Sequence, residues 1–258
     1  MQVVILAGGF GTRIRDVSED IPKPMIPIGS MPIVWHIMKY YGCFGHKHFV
    51  LCLGHKGDVI RDFFLNYDSY TSDVTVSLGE GRNRVIHRNH NEFDWKVTLA
   101  DTGLHSMTGA RVRRIRDHID GDDFMLTYGD GVGDIDLHEL LKFHRSHGKV
   151  LTVSGVRPPG RFGEMLHDGG RVTEFNEKPQ ASSGLISGGF FVANRKLFDY
   201  LDGGDDLVLE KEPMKTLVSE GNLMVYEHDG FWQPMDTSRE YQSLNAMYSS
   251  GVAPWVRW

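Results

Sequence analysis

Three glycines and a cation stand together early in the chain, as Gly8-Gly9-Phe10-Gly11-Thr12-Arg13. Glycines at this density let successive backbone N–H groups turn toward an anion, and an arginine beside them neutralises charge, so the stretch reads as a phosphate cradle. Two familiar phosphate loops fail on detail. A P-loop needs Gly-Lys-Ser/Thr after its glycines, and a dinucleotide fingerprint starting at Gly9 needs Gly or Ala where Ile14 stands. Lys23 lies between Pro22 and Pro24; the flanking rings restrict the backbone and should hold the lysine on an extended segment, pre-placed to meet phosphate. The plainer alternatives are a strand-to-helix turn for the glycines and a solvated loop lysine.

Among the carboxylates, Asp130 is flanked by Gly129 and Gly131, and Asp236 follows the aromatic pair Phe231-Trp232. Two carboxylates at sheet edges suit Mg²⁺, which takes one or two of them together with phosphate oxygens and water. Asp134 and Asp136 lie close to Asp130 in sequence and remain alternatives, and an Asp-Gly pair alone commonly makes a turn. The groupings Cys43/His46/His48 and His144/His147 lack a full set at zinc-ligand spacing. Arg111, Arg113, Arg114 and Arg116 alternate with Val112 and Ile115 on a helix, and Asp117, Asp120, Asp122 and Asp123 follow at once. A basic stripe for nucleic acid is therefore not expected.

These residues need elements to position them. Val3–Leu6 reads as a buried strand running straight into the glycine loop. Ser30 is placed as an N-cap, with Pro32 opening a helix through Ile33, Ile37, Met38 and Tyr41. Further strands are expected at His48–Leu53, Lys96–Ala100, Phe124–Tyr128, Val150–Val156, Arg171–Asn176, Gly188–Ala193 and Leu223–Glu227. Helices are expected at about Val59–Leu65, Thr108–Ile119, Leu137–His147, Glu212–Ser219 and Arg239–Ser249, with a loop or hairpin over Glu80–Asn91. The alternation predicts an α/β protein with a Rossmann-like, mostly parallel sheet flanked by helices. One domain over 1–258 is expected, its two halves, about 1–135 and about 136–258, sharing one sheet.

Composition bounds the function. The net charge of −6 disfavours anionic membranes and nucleic acid as partners, and no apolar run approaches the roughly 20 residues of a membrane span. The two cysteines, Cys43 and Cys52, read as reduced core thiols of a cytoplasmic protein.

The segment Leu6–Arg13 with Pro22-Lys23-Pro24-Met25 resembles the signature of the sugar-phosphate nucleotidylyltransferase family. Gly54-His55-Lys56-Gly57, Met107-Thr108-Gly109, Thr127-Tyr128-Gly129-Asp130, Glu177-Lys178-Pro179, Gly188-Gly189-Phe190 and Phe231–Thr237 extend the likeness along the whole chain, toward the branch that joins CTP to glucose 1-phosphate. The resemblance implies Mg²⁺-dependent transfer of CMP from CTP to α-D-glucose 1-phosphate by in-line attack, with no general base. It implies Asp130 and Asp236 as metal ligands, and Arg13 and Lys23 as cations on the phosphates. Leu6, Ala7, Gly8, Gly9, Phe10, Gly11, Thr12, Ser106, Thr108, Gly109 and Arg111 would contact the nucleotide. Glu177, Lys178, Ser187, Gly188, Gly189 and Trp232 would meet the sugar phosphate. Ser187, Glu164 and Leu209 depart from the usual pattern, which leaves another phosphorylated metabolite as the alternative acceptor. A non-catalytic nucleotide sensor would show damage at Lys23, Asp130 or Asp236, and all three are intact. Members of this branch are oligomers, often hexamers, and Trp255 and Trp258 are expected to pack on a neighbouring copy.

Overall fold

Continuous runs of β-branched and large apolar residues make strands that bury both faces, and such strands form the middle of a seven-stranded sheet whose two edge strands are partly exposed. The computed structural model describes residues 1–11, 21–79, 83–157, 164–168, 171–176 and 184–258. Thr12, Arg13, Glu177 and Lys178 lie outside the described residues. The central strands are β1 (Gln2–Leu6), β2 (His48–Leu53), β3 (Lys96–Asp101), β4 (Asp123–Tyr128), β5 (Leu151–Val156), β6 (Ile186–Asn194) and β7 (Leu223–His228). Their spatial order is β7-β5-β6-β4-β1-β2-β3. Every pairing is parallel except the two made by β6.

The helices are α1 (Ile33–Cys43), α2 (Gly57–Leu65), α3 (Tyr67–Thr71), α4 (Thr108–Arg114), α5 (Leu137–His147), α6 (Glu212–Ser219) and α7 (Ser238–Ser249). Alternation along β1 shows the layering. Val3 and Ile5 join Ile37 of α1, Leu140 of α5 and Leu244 of α7 on one side. Val4 joins Val112 of α4, Leu217 of α6 and Phe198 of the 3₁₀ turn Arg195–Tyr200 on the other. Strands from both ends of the chain thus enter one sheet with a core on each face.

Several expectations are corrected. Ser30 caps no helix: it lies in the turn of a small hairpin, Pro27–Ile28 with Met31–Pro32, and Pro32 itself occupies the N-cap of α1. Lys23 opens a 3₁₀ turn, Lys23–Met25, instead of lying on an extended segment. Pro24 fits there because a first helical turn has no use for its missing N–H. The helix expected over Thr108–Ile119 ends at Arg114 and gives way to a 3₁₀ turn at Arg116–His118. Asp73–Ser77 and Asn83–His87 pair as a hairpin beginning before the stretch expected to hold one. Cys43 is exposed, whereas Cys52 is buried and its thiol is pushed up to about 12 by that burial. Trp255 is fully buried in its own chain, stacked on Phe231 at 5.7 Å, because the segment after α7 folds back over α1. Trp258, at 38% exposure, remains on the surface beside Trp35.

Candidate active site

The connections leaving β1 and β4 diverge: β1 leads to β2 on one side, while β5, which follows β4, lies on the other. A crevice must open outside the carboxyl ends of such a strand pair. The loop Ala7–Gly11 follows β1 and the turn Gly129-Asp130 follows β4, so both glycine-bearing segments face it. Gly129 N donates to Leu6 O at 3.0 Å, and a Cβ there would lie 2.9 Å from the same oxygen. Only glycine lets the two loops close this tightly.

The cleft measures about 390 Å³. Its lining includes Leu6, Ala7, Gly8, Gly9, Phe10, Gly11, Lys23, Ser106, Thr108, Arg111, Asp130 and Asp236, most of the expected nucleotide-binding and metal-binding residues. Lys23 Nζ donates to Asp130 Oδ2 at 2.5 Å and also to Asp236 Oδ1. Burial would depress this lysine, but the two carboxylates outweigh it and hold the ammonium above its ordinary value. The lysine side chain is 10% exposed and the aspartates about a third, so the carboxylates open to the cleft over a nearly buried cation.

Residues 106 apart in sequence come together through a short ribbon. Gly131–Gly133 pairs antiparallel with Trp232–Pro234, and Met235 N donates to Asp130 O at 2.8 Å. Asp236 is followed by Thr237, whose side chain caps α7 in a capping box with Glu240. Glu240 Oε2 also accepts from Asp236 N at 2.8 Å, so the same box fixes the backbone of the aspartate. Of the alternatives, Asp136 caps α5 and Asp134 pairs with His228 at 2.9 Å, both away from the Lys23 cluster.

Arg111 forms the floor. Its guanidinium is buried and donates to the carbonyls of Leu53 at 2.9 Å, Gly103 at 2.8 Å and Gly8 at 2.8 Å, and to Thr102 Oγ1 at 2.9 Å. It therefore locks the glycine loop to the ends of β2 and β3. Arg113, Arg114 and Arg116 are each engaged by their own chain, at Gly203 O, Asp205 and Asp199. Ser106, 5% exposed, has a hydroxyl with no hydrogen-bond partner among the described residues. A buried orphan hydroxyl on a cleft wall is costly unless a ligand or water engages it. Gly109 packs behind the wall instead of lining it, since a Cβ there would meet Leu207 and Leu209.

Of the expected acceptor residues, the four that are described, Ser187, Gly188, Gly189 and Trp232, lie outside the lining of this cleft. Trp232 Nε1 donates to Gly188 O at 2.7 Å, which ties the ribbon to β6. Gly189 has φ +76° and abuts the Tyr128 ring, while a Cβ at Gly188 would strike Ser154 and Val156. Both glycines are thus demanded by packing. Ser187 is exposed and its hydroxyl accepts from Gly189 N at 3.3 Å. Leu209 is fully buried behind α4, so its departure from the usual pattern is a change of core packing. The side chain of Glu164 lies outside the described set.

The sequence reading missed His105, Met107 and Tyr128 among the lining residues. Tyr128 was findable, since it ends a buried strand two residues before Asp130. Phe10 packs between His55 at 4.7 Å and His105 at 6.0 Å, making an aromatic rim that no spacing rule announces. Among the described residues no group of three His, Cys, Asp or Glu side chains is arranged to hold a metal, so the zinc groupings do not assemble.

Comparison with known proteins agrees with this architecture. The family described as nucleotidyl transferase matches residues 2–249. The glucose-1-phosphate cytidylyltransferases of Salmonella typhi and Salmonella typhimurium are each 46% identical over 259 aligned residues, covering all of both chains. The crystal structure of HddC from Yersinia pseudotuberculosis superposes with a TM-score of 0.69 at 22% identity, over 96% of this chain and 99% of that one, and shares the fold. With strands, cleft and full-length likeness in agreement, the chain belongs to the nucleotidyl transferase family, in the branch of the glucose-1-phosphate cytidylyltransferases.

Proposed function

We propose that the chain transfers CMP from CTP to α-D-glucose 1-phosphate, giving CDP-glucose and pyrophosphate. The observation that carries this reading is the convergence of Lys23, Asp130 and Asp236 on the floor of a cleft walled by a glycine loop, in a chain 46% identical to cytidylyltransferases of that substrate. A phosphate oxygen of the sugar phosphate attacks the α-phosphorus of CTP, and the bond to the bridging oxygen of pyrophosphate breaks. The nucleophile is already anionic, so no residue need take a proton. Backbone N–H groups of Gly8–Gly11 and the Lys23 ammonium hold the triphosphate and stabilise its developing charge. Arg13, outside the described residues, is assigned the same task. Ser106 and Thr108 engage the nucleoside.

Asp130 and Asp236 fit a divalent cation, because both carboxylates already converge on one positive centre, the Lys23 ammonium, and offer only hard oxygens. They would hold Mg²⁺, which when bound neutralises phosphate charge. On the acceptor side Glu177, Lys178, Ser187, Gly188, Gly189 and Trp232 are assigned to the sugar phosphate. We assign residues 1–135 to the nucleotide and 136–258 to the acceptor, a cytoplasmic setting suited to free thiols, and assembly into a homo-oligomer.

Pyrophosphate release with CTP, Mg²⁺ and a panel of phosphorylated metabolites tests the reading. Release with glucose 1-phosphate, abolished by chelator, is expected. Release from another acceptor but not from glucose 1-phosphate would overturn it.

A further inference from the structure

Glu210 lies in the acceptor half but its carboxylate serves the nucleotide cleft. The loop Gly203–Glu210 is laid across the start of α4. Met107 N donates to Asp205 O at 2.7 Å, Ala110 N to Leu207 O at 3.1 Å, and Leu209 N to Thr108 Oγ1 at 3.0 Å. At the end of this loop Glu210 accepts from two side chains that line the cleft: Thr108 Oγ1 at 2.6 Å and Tyr128 Oη.

Each hydroxyl owns one proton. Tyr128 Oη donates its one proton to Glu210. Thr108 does the same, and gives a lone pair to Leu209 N. Toward a ligand both oxygens therefore present lone pairs only. Ser106 differs, because its proton is uncommitted and can serve a donor or an acceptor.

We infer that Glu210 is a positioning residue that makes this wall of the cleft acceptor-only, favouring a nucleobase edge carrying an amino group over one carrying a carbonyl. The inference rests on the reading of the cleft as a nucleotide site. Cytosine presents an amino donor where uracil presents a carbonyl acceptor. The first pairs with the lone pairs of Thr108 or Tyr128; the second leaves oxygen facing oxygen with no proton between them, a penalty that selects by repulsion.

Glu210→Gln tests it. The amide accepts from one hydroxyl and donates to the other, which frees one proton to face the ligand. The kcat/KM for CTP and UTP with glucose 1-phosphate is compared in the native enzyme and the variant, and calorimetric Kd values for the two nucleotides are measured alongside without acceptor. The CTP:UTP preference is expected to fall by about tenfold in both readouts. A purely structural role would weaken both nucleotides together and leave the ratio unchanged, which overturns the inference. Thr108→Val, which keeps shape but deletes the hydroxyl, should erode the ratio by weakening CTP and easing the penalty on UTP, and it decides the matter should Glu210→Gln not fold. Absence of turnover with glucose 1-phosphate, with the Kd ratio still shifted, would count against the acceptor reading and not against Glu210.

Discussion

One ammonium bridging two carboxylates is the feature to which the proposed chemistry of this site is assigned. Lys23 is nearly buried, so water cannot replace its charge when the side chain is removed. Lys23→Met is expected to lower kcat by about 10²–10³-fold with unchanged circular dichroism, the scale of losing one preorganised charge stabiliser. Turnover within threefold of the native enzyme would remove Lys23 from the chemistry. At this scale the sequence was most legible where a residue type has few uses. A lysine between prolines and an aspartate between glycines stand out, whereas Asp236 was marked only by the aromatic pair before it. Arg111 was legible as a cleft residue but not as the clamp it is, since its partners are carbonyls of Gly8, Leu53 and Gly103. Backbone acceptors carry no residue signature, and Glu210 was hidden for a similar reason: its partners lie 82 and 102 residues away.

The elements work mainly through their ends. The capping box at Thr237 starts α7 and, through Glu240, also holds the amide of Asp236. Thr237→Ala is therefore expected to cost about 1 kcal/mol of stability in denaturant titrations. It should also lower kcat severalfold, because one edge of the carboxylate pair loosens. Stability lost with kcat intact would show that Asp236 is placed by the ribbon alone. Strand positions were readable because runs buried on both faces leave continuous apolar stretches, and Leu137–His147, His48–Leu53 and Glu212–Ser219 match expectation to the residue. The start of α1 was not. Ser30 carries the usual capping side chain, yet Gly29, at φ +62°, commits the segment to a hairpin turn that local composition does not distinguish from a cap.

Across the whole molecule, three histidines are stored as neutral rings. Burial lowers His36, His46 and His144 to about 4. His36 Nδ1 accepts from the Trp255 indole, which can only donate, so its Nε2 carries the proton shared with Ile28 O. An unfolded chain protonates these rings near pH 6.5 while the native fold refuses the protons until about 4. Stability is accordingly full above about pH 6.5 and declines as pH falls toward 4, at up to about 1.4 kcal/mol per pH unit for each ring. Urea midpoints should be level between pH 7 and 8 and drop between 6.5 and 5; a flat profile through 5 would contradict the burial of neutral imidazole. The general architecture was legible in the sequence, but the destination of the C-terminus was not, because Trp255 looks like a surface anchor until α1 is seen beneath it. The ribbon joining Asp130 to Asp236 has a further consequence in time. Lys23 finds its partners 107 and 213 residues later, so a chain emerging from the ribosome has a nearly complete phosphate cradle long before it owns the second carboxylate. Closing contacts this distant is slow and comes late in folding. Catalytic competence is thus expected only once residue 236 has been made, and a chain cut short before that position should be inert whatever it has already folded.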